Sequence, residues 1–163
     1  MIEVAVADLR LDGTTNTPVV ILREKDGVRV LPIWIGPAEA SAIAMEMQGV
    51  KPPRPLTHDL LRQVIVGLGA ELRRVNITGV KDNTFFAELM LHRGDQIVQV
   101  DARPSDSIAL ALRLQAPIFV DERLLDQHAI ETVEPGPDKA LDAEKLKQYL
   151  EKLDPRDFGR FNP

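Results

Sequence analysis

The sequence predicts an α+β domain with a mainly antiparallel, hairpin-built sheet and helices packed against it. Three observations carry this. Strand-like stretches come in groups joined by turn dipeptides, Asp26-Gly27, Asp82-Asn83 and Gly94-Asp95. Helix-like stretches fall between those groups instead of alternating with single strands, which argues against a parallel sheet. The 163 residues suffice for one hydrophobic core, whereas two cores of half that size would be marginal.

Residues 2–11 alternate loosely as a strand, with Ile2, Val4 and Val6 on one side. Turn chemistry at 12–16 leads to Pro18, which opens a strand over 18–24. Asp26-Gly27 then returns the chain into a strand over 28–35. Gly36-Pro37 ends that strand and starts a helix over 38–47, rich in Ala, Met and Ile. Gly49 stops it, and the prolines between 50 and 55 make an extended linker. Thr57 suits the N-cap of a second helix, whose apolar positions 60, 61, 64, 65 and 68 follow helical spacing. Strands are expected over 71–80, 84–91 and 96–101. Pro104 opens a third helix reaching Leu114. Ala116-Pro117 breaks it, and Ile118-Phe119-Val120 reads as a short buried strand. A short helix over 121–129, a loop at 134–138, a charged helix over 140–153 and a ten-residue tail complete the expectation. Residues 1–130 thus read as the domain proper. Residues 131–163 read as a linker, helix and tail belonging to it.

One local plan occurs twice. Gly36-Pro37-Ala38-Glu39-Ala40-Ser41 and Arg103-Pro104-Ser105-Asp106-Ser107 each follow a hairpin strand, place Pro in the first helical turn and an acid two residues later. A duplicated strand-strand-helix unit is the corresponding expectation. Glu39 and Asp106 then sit at equivalent helix starts. Either they complement the helix dipoles, or they converge on one cleft.

Composition excludes several functions. There are 0 cysteines, so disulfides, thiol nucleophiles and thiolate metal sites are out, and a reducing compartment is the simple reading. The N-terminus lacks a basic stretch followed by an apolar run, and no apolar segment approaches the roughly 18 residues a membrane span needs. A cytoplasmic protein without membrane attachment is expected. The net charge of -5 and only five Phe, one Trp and one Tyr argue against a broadly basic nucleic-acid surface or an extended stacking platform. No phosphate-binding glycine loop, dinucleotide fingerprint or zinc helix is present, and His58, His92 and His128 are far apart in sequence.

Two polar clusters can carry chemistry. In Arg54-Pro55-Leu56-Thr57-His58-Asp59, His58 and Asp59 occupy a first helical turn whose free N–H groups can receive an anion. Histidine is the side chain matched to proton transfer near neutral pH. The structural reading is that Asp59 serves the dipole and His58 is a surface residue. In Asp101-Ala102-Arg103-Pro104-Ser105-Asp106-Ser107, Arg103 can grip a phosphate with two hydrogen bonds, and Asp101 with Asp106 can hold a magnesium ion. Here the alternative is an Arg–Asp network fixing the strand-to-helix junction.

These same residues carry a resemblance. Leu31-Pro32-Ile33-Trp34-Ile35-Gly36 with Glu39-Ala40, then Arg54 to Asp59, then Asp101 to Ala109, resemble in order and spacing three blocks of the bifunctional nuclease domain. The likeness covers roughly residues 1–130. It implies a compact α+β fold, oligomeric association with a dimer as the simplest form, and a hydrolase acting on ester bonds that cuts RNA and DNA, with single-stranded nucleic acid as partner. On this reading His58, Asp59, Arg103 and Asp106 are catalytic, and Arg54, Thr57 and Ser105 contact substrate. Glu39 and Asp101 hold Mg²⁺ or Mn²⁺. A non-catalytic ligand-binding or regulatory oligomeric module stays open beside it.

Overall fold

The computed structural model describes residues 1–131, and the expected loop at 134–138, helix at 140–153 and tail lie outside the described residues. The elements are β1 (Ile2–Leu11), β2 (Pro18–Glu24), β3 (Arg29–Trp34), α1 (Pro37–Met47), α2 (Thr57–Gly67), β4 (Glu71–Lys81), β5 (Thr84–Arg93), β6 (Gln96–Ala102), α3 (Pro104–Leu114), β7 (Ile118–Val120), α4 (Glu122–His128) and β8 (Ile130–Glu131). The α+β expectation holds. The 8-stranded sheet has the order β6-β5-β4-β7-β1-β2-β3-β8.

The hairpins follow from turn chemistry. Asp82 and Asn83 both take positive φ, 51° and 58°, as a two-residue turn joining β4 to β5 requires. Gly94, at φ 58°, opens the next turn into β6. Two antiparallel meanders result, β1-β2-β3 and β4-β5-β6, each followed by a helix with Pro in its first turn. The sheet is nevertheless mixed. β7 runs antiparallel to β1 but parallel to β4, and α3 supplies the crossover a parallel pair needs. Three apolar residues carried no sign of that direction. β8, two residues long, is too short for any periodicity to announce it.

Helices α1 and α2 pack on α3, and α3 lies over β4 and β5. α3 is the central helix. Pro104, Ser105, Ser107, Ile108, Ala109, Leu110, Ala111 and Arg113 are all buried. Its alanines and those of α1 (Ala40, Ala42, Ala44) let the two helices approach closely over a single contiguous core. α2 differs, with Ile65 its one buried residue.

The cap of α2 corrects an expectation. Thr57 is the first helical residue, and Leu56 occupies the N-cap with extended backbone and no side-chain cap bond. The freed N–H of Leu56 instead donates to Asp59 Oδ2 at 3.0 Å. Among the described residues no helix is long and apolar enough to cross a membrane.

Candidate functional site

The first turns of α1, α2 and α3 meet, and their polar residues form one network. Asp106 of α3 is the hub. His58 Nε2 of α2 lies 2.7 Å from Asp106 Oδ1. Arg103 donates through Nε to Asp106 Oδ2 at 2.9 Å and contacts the same oxygen through Nη2 at 2.8 Å. Arg103 Nη2 also reaches Glu39 Oε1 of α1 at 2.9 Å. Among the described residues Arg103 Nη1 has no partner, and the Arg103 side chain is 62% exposed. His58, Glu39 and Asp106 are mostly covered. The arrangement presents a cation to solvent above a half-buried imidazole and carboxylate pair.

The electrostatics follow from these contacts. The hydrogen bond from His58 holds the Asp106 carboxyl below its ordinary range, helped by Arg103 and opposed by burial. Asp106 in turn pushes Arg103 upward by accepting its hydrogen bond, with Glu39 adding to the effect. An ionised Asp106 can only accept, so His58 Nε2 carries the proton in this contact. When the ring is neutral, its lone pair lies on Nδ1.

A second, deeper pair lies beside the first. Arg113, with its side chain 4% exposed, donates through Nε to Asp59 Oδ1 at 2.9 Å. Its other nitrogens donate to the carbonyls of Ala109 at 2.9 Å and Ala42 at 3.0 Å. Arg113 therefore ties α1, α2 and α3 together. Burial raises the Asp59 carboxyl, but hydrogen bonds from Arg113 and the Leu56 N–H, with the Arg113 charge, outweigh it and leave the group below its ordinary range.

The expected site residues divide. Glu39, His58, Arg103 and Asp106 come together in one network, and Asp59 joins through Arg113. Arg54 and Thr57 are exposed at the start of α2. Ser105 is buried in α3, away from solvent that a substrate would share. Asp101 stands apart in β6, where it lines an open depression with Thr78, Phe86, Ala87, Glu88 and Gln99. Glu39, expected to share a metal ion with Asp101, is engaged by Arg103. Among the described residues no three His, Asp or Glu side chains converge as a metal site.

The residues of this network all fall within a stretch that matches a known family, described as bifunctional nuclease domain, over residues 20–133. The chain belongs to the bifunctional nuclease domain family. It is similar along nearly its whole length to a protein of Mycobacterium tuberculosis named only as uncharacterised, with 46% identity over 96% of this chain and 97% of that one. It is also similar to Bifunctional nuclease 2 of Arabidopsis thaliana, 30% identical over 72% of this chain and 37% of the plant protein. The Bifunctional nuclease of Oryza minuta is 24% identical over 86% of this chain and 44% of its own length. The chain spans less than half of either plant protein.

Sequence reasoning missed two parts of this bifunctional nuclease domain. Arg113 was the more legible. It is a lone cation in the apolar run Ile108 to Leu114, where a charge is affordable only with a partner. The other part is the polar row beside Asp101, in which Asn76 donates to Glu88 Oε1 at 2.9 Å and Gln99 bonds the other Glu88 oxygen. Nothing in the local pattern marks that row, because cross-strand register alone brings Asn76, Glu88 and Asp101 into line.

Proposed function

We propose that the chain is a nuclease hydrolysing phosphodiester bonds of RNA and DNA, acting in the cytoplasm on single strands. The observation that supports it is Asp106 holding His58 and the exposed Arg103 on adjacent sides of one carboxylate. His58 Nδ1 takes the proton of the attacking hydroxyl or water as its oxygen bonds phosphorus. The same proton then goes to the leaving oxygen as the old P–O bond breaks. Arg103 Nη1 and the exposed Arg54 meet the phosphate charge. Thr57 offers its hydroxyl beside the free N–H groups of the α2 N-terminus. The family name shared with the plant relatives points the same way.

The test is cleavage of labelled single-stranded RNA and DNA by purified wild type, His58→Ala and Arg103→Ala, each shown folded by circular dichroism. Loss of a general base lowers the rate by roughly 10²–10⁴-fold. Equal cutting by all three proteins would place the activity in a contaminant and sink the proposal.

A second reading has its own support. Each carboxylate of the network already has a cationic or imidazole partner within the fold, as a structural junction requires. On that reading the chain is a non-catalytic ligand-binding or regulatory module. The absence of cutting by folded wild type, with or without Mg²⁺ or Mn²⁺, would favour it.

A further inference from the structure

Trp34 is the single tryptophan of the chain, and it ends β3 with 54% of its surface exposed. Ile33 and Ile35 on either side are buried in the core, so strand alternation turns Trp34 to the opposite face. The ring is nonetheless held. Its Nε1–H donates to Asp12 Oδ2 at 2.9 Å, and the Thr14 N–H anchors Asp12 in turn by donating to Oδ1 at 2.9 Å. Among the described residues no aromatic ring or cation is stacked on the indole.

The backbone beyond Trp34 shows what lies beside it. The Ile35 N–H still donates to the Pro18 carbonyl at 3.0 Å, and Gly36 is extended, with φ -74° and ψ 161°. Position 36 therefore faces the same way as Trp34, about 7 Å along the chain. Gly36 has no side chain, and the carboxylate of Glu39 fills that space. Glu39 Cδ lies 3.3 Å, and Oε1 3.8 Å, from where a Gly36 Cβ would stand. That Oε1 is the atom that receives Arg103 Nη2 at 2.9 Å. The Glu39–Arg103 ion pair thus sits on the face of Trp34, two strand positions away.

We propose that Trp34 is a base-stacking subsite beside Arg103. A single-stranded nucleic acid lays one base on the indole while an adjoining phosphate meets Arg103. The identity of the ligand rests on the nuclease reading. A ring already fixed by a hydrogen bond has little side-chain freedom left to lose when a base stacks on it. Every base has a π-face, so the contact tolerates any sequence. Charge sets the direction of the strand. Asp12 at the indole edge repels phosphate and Arg103 attracts it, so the backbone runs on the Arg103 side of the stacked base. One indole accepts one base, which suits a chain whose few aromatic residues cannot build an extended platform. Trp34 then positions a single nucleotide beside the reacting phosphate.

The full-length chain carries its own probe, because its tryptophan emission comes from Trp34 alone. His58→Ala removes the base of the nuclease reading and lets a strand bind uncut. Titrated with a single-stranded oligodeoxyadenylate, this variant loses tryptophan emission. An abasic strand of the same length and charge leaves the emission in place. By anisotropy of the labelled strand, adding Trp34→Leu weakens binding roughly tenfold to a hundredfold. Trp34→Tyr keeps a ring and most of the affinity. In cleavage assays Trp34→Leu raises KM by the same factor with kcat within about twofold, since the stack is present in ground and transition states alike. Emission unmoved by the base-bearing strand, or moved equally by the abasic one, overturns the proposal. So does a folded Trp34→Leu chain that binds as tightly as its parent. A chain that cuts nothing, yet is quenched by the base-bearing strand alone, loses the nuclease reading and keeps the stacking site. A chain that cuts with KM untouched by Trp34→Leu loses the stacking site only. Should Trp34→Leu fail to fold, the two strands compared on Trp34 itself decide alone.

Discussion

His58 and Asp106 lie 48 positions apart in the chain, and their side chains meet at 2.7 Å between Nε2 and Oδ1. The contact joins the first turn of α2 to the first turn of α3, and Arg103 extends it to Glu39 on α1. Asp106→Asn keeps the size of the side chain and removes its charge. The amide can accept from only one of its two former donors and offers N–H to the other, so the imidazole is no longer fixed with its lone pair on Nδ1. On the nuclease reading kcat falls by about 10²–10⁴-fold. Steady-state kinetics on a single-stranded oligonucleotide, with circular dichroism as the control for folding, measures it. A folded Asp106→Asn protein with unchanged kcat would remove Asp106 from the mechanism.

The buried pair beneath is a matter of stability. Arg113→Met leaves Asp59 without its cation and removes the guanidinium hydrogen bonds to the carbonyls of Ala42 and Ala109. Removing one member of a buried pair costs about 3–5 kcal/mol, because the other charge is left uncompensated. Urea denaturation should therefore show Arg113→Met well below wild type. Asp59→Leu combined with Arg113→Met should recover part of the loss, since no lone charge remains. A double variant as unstable as the sum of the single ones would mean that Arg113 acts through its carbonyl bonds and not through Asp59.

Much of this was legible in the sequence, for identifiable reasons. Turn dipeptides such as Asp82-Asn83 and helix-opening prolines such as Pro37 and Pro104 are local signals, and the elements they delimit were found close to their observed bounds. Glu39, His58, Arg103 and Asp106 stood out because polar residues crowd helix starts there. Their convergence was no more than one of two readings until α1 and α2 were seen packed on α3. What depends on long-range register stayed hidden. The parallel pairing of β7 with β4 leaves no trace in three residues. The row Asn76, Glu88 and Asp101 exists only once β4, β5 and β6 are aligned. Thr57 misled because it is a good capping residue in type, while the chain uses the carboxylate of Asp59 and the backbone of Leu56 instead.

Gly36, the N-cap of α1, has an unremarkable backbone with φ -74° and ψ 161°, so its lack of a side chain is not a matter of conformation. A Cβ there would run into the carboxylate of Glu39. Gly36→Ala therefore displaces Glu39 and frees one of the two anchors of Arg103, at a stability cost of about 1 kcal/mol or less. On the nuclease reading the misaligned guanidinium lowers kcat/KM by roughly tenfold to a hundredfold. Glu39→Gln acts on the same contact, so the double variant is no worse than either single one. Additive losses would show that Gly36 matters for another reason.

The final prediction concerns acid. The Asp59 carboxyl lies below the ordinary carboxylate range in the folded chain, since hydrogen bonds from Arg113 and the Leu56 N–H outweigh burial. A carboxyl lowered on folding binds its proton more readily in the unfolded chain, so acid favours unfolding. Its contribution is fully present above the unfolded value and is lost as pH falls through the lower folded one. Wild type and Asp59→Asn should therefore differ most at neutral pH, with wild type the more stable. The gap should narrow progressively as the pH falls below the unfolded carboxyl's range and on through the lower folded one. The many exposed carboxylates titrate alike in both proteins and cancel in the difference. Urea titrations at stepped pH read the gap directly. A gap that stays constant as the pH is lowered would mean that Asp59 stabilises the fold by shape or hydrogen bonding alone, with no share from the charge that Arg113 faces.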